Sequence, residues 1–202
     1  MAKPPIIWTN VFIFTSSLLA MLILVPWYQV TVGFNSFLII AAVISLFYCG
    51  LSITAGYHRL WSHKTYNAHW SVRFFFAIGG AFAMQNSILH WSSDHRVHHK
   101  FVDNNDKDPY SAKRGFWYSH IGWMLRDYHP DANSDYSNCR DLQKDSIVMW
   151  QHKHYLVLTI LTNFGFATAV GLASGHMVGS LIAVGVTRLV LSHHFTFFIN
   201  SW

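Results

Sequence analysis

The chain has 202 residues, of which 52% are hydrophobic and only 11% are charged, and its formal net charge is +5. Soluble domains carry about 25% charged residues, so this composition disfavours a soluble protein and indicates a chain that lies in lipid. The basic residues are spread through a segment rich in histidine and aspartate, which disfavours a nucleic-acid-binding protein.

Four apolar runs are each long enough to cross a membrane, because a spanning helix needs about 20 residues. The runs cover approximately residues 6–32, 34–55, 156–174 and 177–199. The joins at Gly33 and at 173–176 are short, so the four predicted helices form two hairpins. The sequence therefore predicts an all-α membrane protein, a single domain over residues 1–202 with a helical middle segment at 57–153.

The basic residues predict the orientation of these helices. Twelve of the fourteen lysine and arginine residues lie between Arg59 and Lys153, and both short joins lack them. Loops on the cytoplasmic side of a membrane carry an excess of such residues. We therefore expect a multi-pass membrane protein whose N-terminus and whole middle segment, histidines included, are cytoplasmic.

Two stretches of the middle segment are predicted to be helices that do not cross the membrane. Residues 73–91 are apolar but interrupted at 79–80 and 85–86, which favours an interfacial or buried cytoplasmic helix over a fifth span. Residues 115–125 are rich in aromatic side chains, which predicts an amphipathic helix at the headgroup boundary. Residues 127–141 are predicted to form a loop.

Two groups of histidines in the middle segment indicate a metal site. His95, His98 and His99 have the i, i+3, i+4 spacing that shares one helical face, so their imidazoles can converge on one point. His58 and His63 are five positions apart, so we expect a frayed or tightened last turn of the second run to aim both inward. Neutral imidazole is the commonest metal ligand. Two such groups predict more than one metal ion, and iron, copper, nickel and zinc remain open.

Other polar side chains are assigned supporting positions. Because metal-bound histidines donate their second ring nitrogen to a partner, we expect Asp94 and His120 to orient ligands, with His90 a weaker candidate. His193 and His194 are predicted to be local structure or support rather than ligands.

Arg188 is a charged residue inside the fourth apolar run. Burying it in lipid would cost about 2.5–3.5 kcal/mol, so we expect it to face the helix bundle or a headgroup. Cys49 and Cys139 lie far apart and form no CxxC pair, so thiol chemistry is not expected.

Three stretches carry a resemblance to a known family. HRLWSH at 58–63, DHRVHHKFVDNNDKDPYSAKRGFWYSHIGW at 94–123 and TFFINS at 196–201 resemble the integral-membrane fatty acyl desaturases, and among them the Δ9 acyl-CoA type. The resemblance implies a non-haem di-iron centre that activates O2 and removes two hydrogens from an acyl chain to leave a cis double bond. It implies no catalytic side chain apart from the metal ligands, which match His58, His63, His95, His98, His99 and, through a water, Asn200.

The resemblance also implies a substrate site. Gln85, Trp91 and Thr196 resemble residues that line the bend of an acyl tunnel near the metals. Lys113 and Arg114 resemble basic residues that bind the phosphates of a thioester headgroup. The implied substrate is a fatty acyl-CoA or an acyl lipid in the membrane.

The chain contains no dinucleotide, flavin or HPGG haem motif, so we expect an external electron donor, a cytochrome b5 or a ferredoxin. The family has a further histidine four residues after the asparagine that matches Asn200, and a third histidine motif beyond it. Because the sequence stops at Trp202, we expect a piece of a longer protein that is inactive alone.

Three other functions remain open from the sequence. A membrane di-iron hydroxylase of the alkane or sterol type would use the same histidine motifs, although the stretch at 108–123 favours the desaturase. The chain could also be a metal-binding membrane protein without catalysis, such as a transporter or sensor, or an inactive remnant. Chain length and double-bond position are not determined.

Overall fold

Helices form nearly all of the described part of the chain, which is residues 4–130 and 135–201 of a computed structural model. In chain order they are α1 (Trp8–Thr31), α2 (Ser36–Ser62), α3 (Trp70–Ala83), α4 (Ile88–Lys100), α5 (116–125), α6 (Ser146–Ser174) and α7 (Met177–Ser201). Four of them, α1, α2, α6 and α7, are long and apolar enough to cross a membrane. The predicted all-α membrane fold with four spans is confirmed.

Two of the spanning helices extend beyond their apolar runs. Helix α2 continues to Ser62, seven residues past the predicted end, because its last turns keep backbone hydrogen bonds in a widened form. Helix α6 begins ten residues early, at Ser146, where the Asp145 carboxylate accepts hydrogen bonds from the backbone N–H groups of Ile147 and Val148. Both extensions carry polar side chains, so apolar character alone did not locate these ends.

Helix α7 is the central span. It packs against α1, α2 and α6, and 39% of its apolar window is buried, compared with 6% for α1. The joins at Gly33 and Gly175 have positive φ angles of 92° and 71°, which glycine adopts without a steric penalty. The chain therefore turns back sharply at both joins, and α1 packs against α7 and the end of α5.

Arg188 faces the inside of the bundle and is only 1% exposed. Its guanidinium donates to the carbonyl of Phe82 at 2.7 Å and to that of Val184 at 3.0 Å, and it contacts the side-chain oxygen of Asn163. The cation also lies 3.9 Å from the ring centroid of Phe82. These contacts offset the cost of burying the charge and tie α7 to α3 and α6.

The stretch predicted as one interfacial or buried helix is two helices, α3 and α4, which meet at 83°. The break lies at 84–87, where Met84 and Asn86 adopt left-handed φ angles of 57° and 71°. It does not lie at Gly79-Gly80, through which α3 runs unbroken. The Nε2 atoms of His63, before α3, and of His95, on α4, lie 3.0 Å apart. Both ends of this segment are therefore on the same side of the membrane, and α3 and α4 do not form a fifth span.

The glycine pair serves close packing instead. A Cβ added at Gly79 would lie 2.0 Å from the hydroxyl of Ser52, and one added at Gly80 would lie 2.2 Å from the ring of Tyr57. Helix α3 therefore lies directly against the end of α2.

Residues 116–125 form the predicted helix α5, in which Trp117 is exposed and His120 is buried. Of the predicted loop at 127–141, residues 131–134 lie outside the described residues.

We predict that Gly80→Ala destabilises the protein by about 1–3 kcal/mol, because the buried ring of Tyr57 has no room to move away. Thermal unfolding in detergent measures the effect as a lower midpoint. Gly50→Ala is the matched control, because a Cβ at that position in α2 meets nothing within 4 Å. An equal midpoint for the two variants would contradict the packing described.

Candidate metal centre and the cavity beside it

Four histidines meet where the end of α2 contacts α4. One ring nitrogen from each of His58, His63, His95 and His99 lies within 4.8 Å of the others, and we call this group the histidine cluster. The Nε2 atoms of His63 and His95 are 3.0 Å apart. Two nitrogens at right angles around one metal, each about 2.1 Å from it, are separated by about 3.0 Å. The 3.0 Å between these two nitrogens therefore fits a shared metal ion.

The end of α2 is a π-helix over Ser52–Ser62, and this form brings His58 and His63 together. The N–H of His63 donates to the carbonyl of His58 at 3.0 Å, an i→i+5 bond, and the two ring centroids are 4.5 Å apart. The expectation of a frayed or tightened turn is wrong, because the turn is widened. The five-residue spacing was the available signal, since it equals the hydrogen-bond period of a π-helix.

Helix α4 is a regular α-helix, so His95 and His99 share a face at i, i+4. Of the three imidazoles predicted to converge, those of His95 and His99 lie together in the cluster. His98 lies at the edge of the cluster, with its ring centroid 5.4 Å from that of His99. Its Nδ1 contacts a carboxylate oxygen of Asp108 at 2.8 Å, and its ring stacks on Tyr110 at 4.3 Å. Its role as a ligand stays a prediction.

Two imidazoles of the cluster, those of His95 and His99, are in the neutral form that binds metals. Burial first, and then the nearby rings of His58, His99 and His63, lower the pKa of His95 to about 2. Burial also lowers the pKa of His99. Both rings are therefore unprotonated at neutral pH, and a metal ion can bind them without displacing a proton from an imidazolium.

Asp108 contacts His98, and it was missed as a functional residue in the sequence. The sequence assigned Asp108 only to a loop, but its side chain is fully buried, with 0% exposure. Its oxygens accept the backbone N–H groups of Asp103 and Tyr110 at 3.0 and 3.1 Å while one also contacts His98. The hydroxyl of Tyr110 in turn lies 3.1 Å from Nδ1 of His95. Only burial distinguishes Asp108 from its neighbours, and sequence does not report burial.

The two residues predicted to orient ligands contact other groups. Asp94 lies 3.5 Å from Nε2 of His90, one turn earlier on α4. The Nε2 of His120 lies 3.1 Å from Nδ1 of His194, and its Nδ1 lies 3.2 Å from the hydroxyl of Ser201. The orienting roles of Asp94 and His120 therefore stay predictions.

A cavity of about 450 Å³ adjoins the cluster. Its walls include the side chains that the sequence assigned to the tunnel bend, together with the predicted ligand: Gln85, Trp91, Thr196 and Asn200. The amide of Gln85 donates to the hydroxyl of Thr196 at 2.8 Å. Trp91 stacks on His95 at 4.7 Å, and Tyr110 both lines the cavity and contacts His95. Cluster and cavity are thus separated by only one layer of aromatic rings.

The two predicted headgroup residues differ in their surroundings. Arg114 donates to the hydroxyl of Tyr118 at 2.7 Å, and its guanidinium lies 4.6 Å from the ring centroid of Tyr128, a cavity-lining residue. Lys113 is exposed, and its ammonium lies 3.9 Å from the carboxylate of Asp103. Arg114 is therefore near the cavity, and Lys113 faces solvent.

We predict that Asp108→Ala weakens metal binding by about 10–100-fold, because the ring of His98 loses the partner that fixes its orientation. Equilibrium dialysis of the chelator-treated protein against Fe²⁺ measures this. Asp103→Ala is the control, since that carboxylate is partly exposed and pairs with Lys113 outside the cluster. Equal affinities for the two variants would show that Asp108 serves the loop alone.

The sequence matches the family model for fatty acid desaturases over residues 35–202. It is 46% identical to a "Probable acyl-CoA desaturase" of Schizosaccharomyces pombe over 164 residues, which cover 81% of this chain and 34% of that protein. It is 41% identical to both an acyl-CoA Delta-9 desaturase and an acyl-CoA Delta12-desaturase of Acheta domesticus, covering 82% and 75% of this chain. The chain spans 46% and 43% of those two proteins, less than half of each relative. It belongs to the fatty acid desaturase family.

Proposed function

We propose that this chain forms the membrane-embedded catalytic part of an acyl-CoA desaturase, which uses O2 to introduce a cis double bond into a saturated acyl chain. The observation that carries the proposal is the single aromatic layer between the histidine cluster and the cavity. Trp91 contacts His95 on one side and lines the cavity on the other. An acyl chain in the cavity would therefore lie beside the metal-binding side chains.

The residues that would hold two iron ions are the four of the histidine cluster with His98 and Asn200. Iron bound there would activate O2, the oxidant that removes hydrogen from an unactivated methylene, and the protein would supply position and a dry site. The chain has no glutamate, so the Glu-x-x-His ligation of soluble di-iron bundles does not apply. Neutral imidazole ligands leave the metal more electrophilic than carboxylates would.

The walls of the cavity would orient the substrate. Phe14, Trp91 and Phe197 present apolar rings to it, which exclude water from the acyl chain. The hydrogen-bonded pair of Gln85 and Thr196 would bend the chain, so that one C–C bond faces the metals and a cis product forms. Arg114, and at longer range Lys113, would attract the phosphates of coenzyme A.

Further features follow from the same proposal. The double bond is assigned to the Δ9 position, on the resemblance of the sequence motifs to that type. The N-terminus and the histidine cluster face the cytoplasm, where an external donor, a cytochrome b5 or a ferredoxin, supplies electrons. The concentration of basic residues between Arg59 and Lys153 supports this orientation.

Expression of the complete gene in yeast that lacks its own acyl-CoA desaturase tests the function. Gas chromatography of the fatty acids is expected to reveal cis-Δ9 monounsaturated products, which His95→Ala abolishes and His154→Ala, an exposed histidine, preserves. Hydroxylated fatty acids would indicate a hydroxylase instead. Bound iron without product would indicate a metal-binding protein, and cis-Δ12 products would overturn the assigned position alone.

We predict that Thr196→Val lowers turnover by about 2–10-fold, because one hydrogen bond of about 0.5–1.5 kcal/mol no longer holds Gln85. Valine has nearly the volume of threonine, so the cavity keeps its size. Product formation per bound iron measures the effect. Thr162→Val in α6 is the control, because that hydroxyl bonds only within its own helix, to Leu158 and Thr159.

A further inference from the structure

Arg96 lies on α4 between His95 and His98, and its guanidinium contacts the end of α2 and the loop before α6. It donates to the carbonyls of Trp61 and Ser62 at 2.9 and 3.2 Å. These are the last two residues before His63. A single side chain from the helix of His95 thus binds the backbone that carries His63.

The loop completes the set of acceptors around Arg96. The carbonyl of Asn138 accepts at 2.9 Å, and the two carboxylate oxygens of Asp141 accept at 2.8 and 3.0 Å in a paired, bidentate arrangement. With the two carbonyls of α2, these acceptors use all five N–H donors of the guanidinium. Such saturation fixes the position of the guanidinium, and bidentate pairs add directional specificity.

Asp141 also holds the other side of His63. Lys64 follows His63 directly, and its ammonium lies 2.6 Å from the Asp141 carboxylate. His63 is therefore bracketed, with backbone bonds to Arg96 before it and an ion pair to Asp141 after it. The free carbonyls at a helix C-terminus and the negative end of its dipole both favour a cation there.

These contacts matter because a π-helical turn is much rarer than an α-helical turn and needs to be held in place. In an α-helix, His63 would be rotated by about 140° from His58 around the axis, and the two rings would not meet. Contacts at Trp61 and Ser62 hold the widened turn where it ends. We propose that Arg96 and Asp141 form a clasp that positions His63 against His95, and this inference rests on the proposed metal-dependent function.

The clasp is separate from the reacting groups. The described residues that line the cavity do not include Arg96 or Asp141, and the four ring nitrogens of the cluster belong to other residues. Both are therefore positioning residues, which act on the metal site through the end of α2.

The structure offers a matched control pair. Arg73 of α3 contacts the carboxylate of Asp145, the residue that caps α6. This arginine–aspartate pair is buried to a similar extent and also joins two elements, but it lies outside the segment 58–64. Breaking it should lower stability without moving His63.

The test compares Arg96→Lys and Asp141→Asn with Arg73→Lys and Asp145→Asn in the complete protein. Each chelator-treated variant is titrated with Co²⁺, a probe whose visible absorption reports its coordination, and is unfolded thermally in parallel. We expect the clasp variants to bind Co²⁺ about 10–100-fold more weakly, with an altered absorption spectrum. The control variants should bind Co²⁺ as the wild type does, at a comparable loss of thermal midpoint.

Milder variants keep the test decisive if a clasp variant does not fold. Asp141→Glu keeps the charge and should restore most of the affinity lost in Asp141→Asn. Lys64→Met removes only the more exposed ion pair and should change affinity less than about threefold.

Two results overturn the proposal, and they are distinguishable. Clasp variants that bind Co²⁺ with wild-type affinity and spectrum would show that Arg96 and Asp141 serve stability alone. A wild type that binds neither Co²⁺ nor Fe²⁺ would overturn the proposed function, and the clasp with it.

Discussion

The arrangement of this protein depends on holding four imidazoles within 4.8 Å of one another at the end of two helices. Protonated rings at this distance repel each other, and this repulsion adds to burial in lowering the pKa of His95. Neutral rings alone do not attract each other strongly. Their positions must therefore be imposed by contacts outside the cluster.

Those contacts come from three directions. Tyr110 and Asp108, from the loop after α4, contact His95 and His98. Trp91 stacks on His95 from the cavity side. Arg96 of α4 holds the end of α2 through the carbonyls of Trp61 and Ser62. The metal site is thus fixed by residues spread over the middle segment, and the cavity shares two of them, Trp91 and Tyr110.

A few buried polar side chains also hold the helices together through hydrogen bonds. Gln151 of α6 is 0% exposed, donates to the hydroxyl of Tyr57 at 2.6 Å, and accepts the backbone N–H of Ile88 at 3.0 Å. It connects α6 to α2 and to the start of α4, as Arg188 connects α7 to α3 and α6. Buried polar groups in a membrane protein must find partners inside it, and here those partners fix the angle between helices.

The sequence by itself determined what depends on composition and local spacing. Apolar length gave the four spans, and the i, i+4 spacing of His95 and His99 placed both on one face of α4. The motifs also named four residues that line the cavity, Gln85, Trp91, Thr196 and Asn200. The spans and the helical face follow from residue type at a fixed separation along the chain, whereas the four cavity residues follow from the resemblance of the motifs to a known family.

Only the tertiary structure decided what depends on contacts between distant residues. The widened turn of α2 is held by Arg96, and the break at 84–87 by Tyr155 and Thr196, all far away in sequence, while the burial of Asp108 depends on how its loop folds against α4. Glycines 79 and 80 read as a helix interruption until Ser52 and Tyr57 are seen against them. The conformational propensity of a short stretch does not depend on such distant neighbours. The free energy of packing and of buried hydrogen bonds selects these conformations.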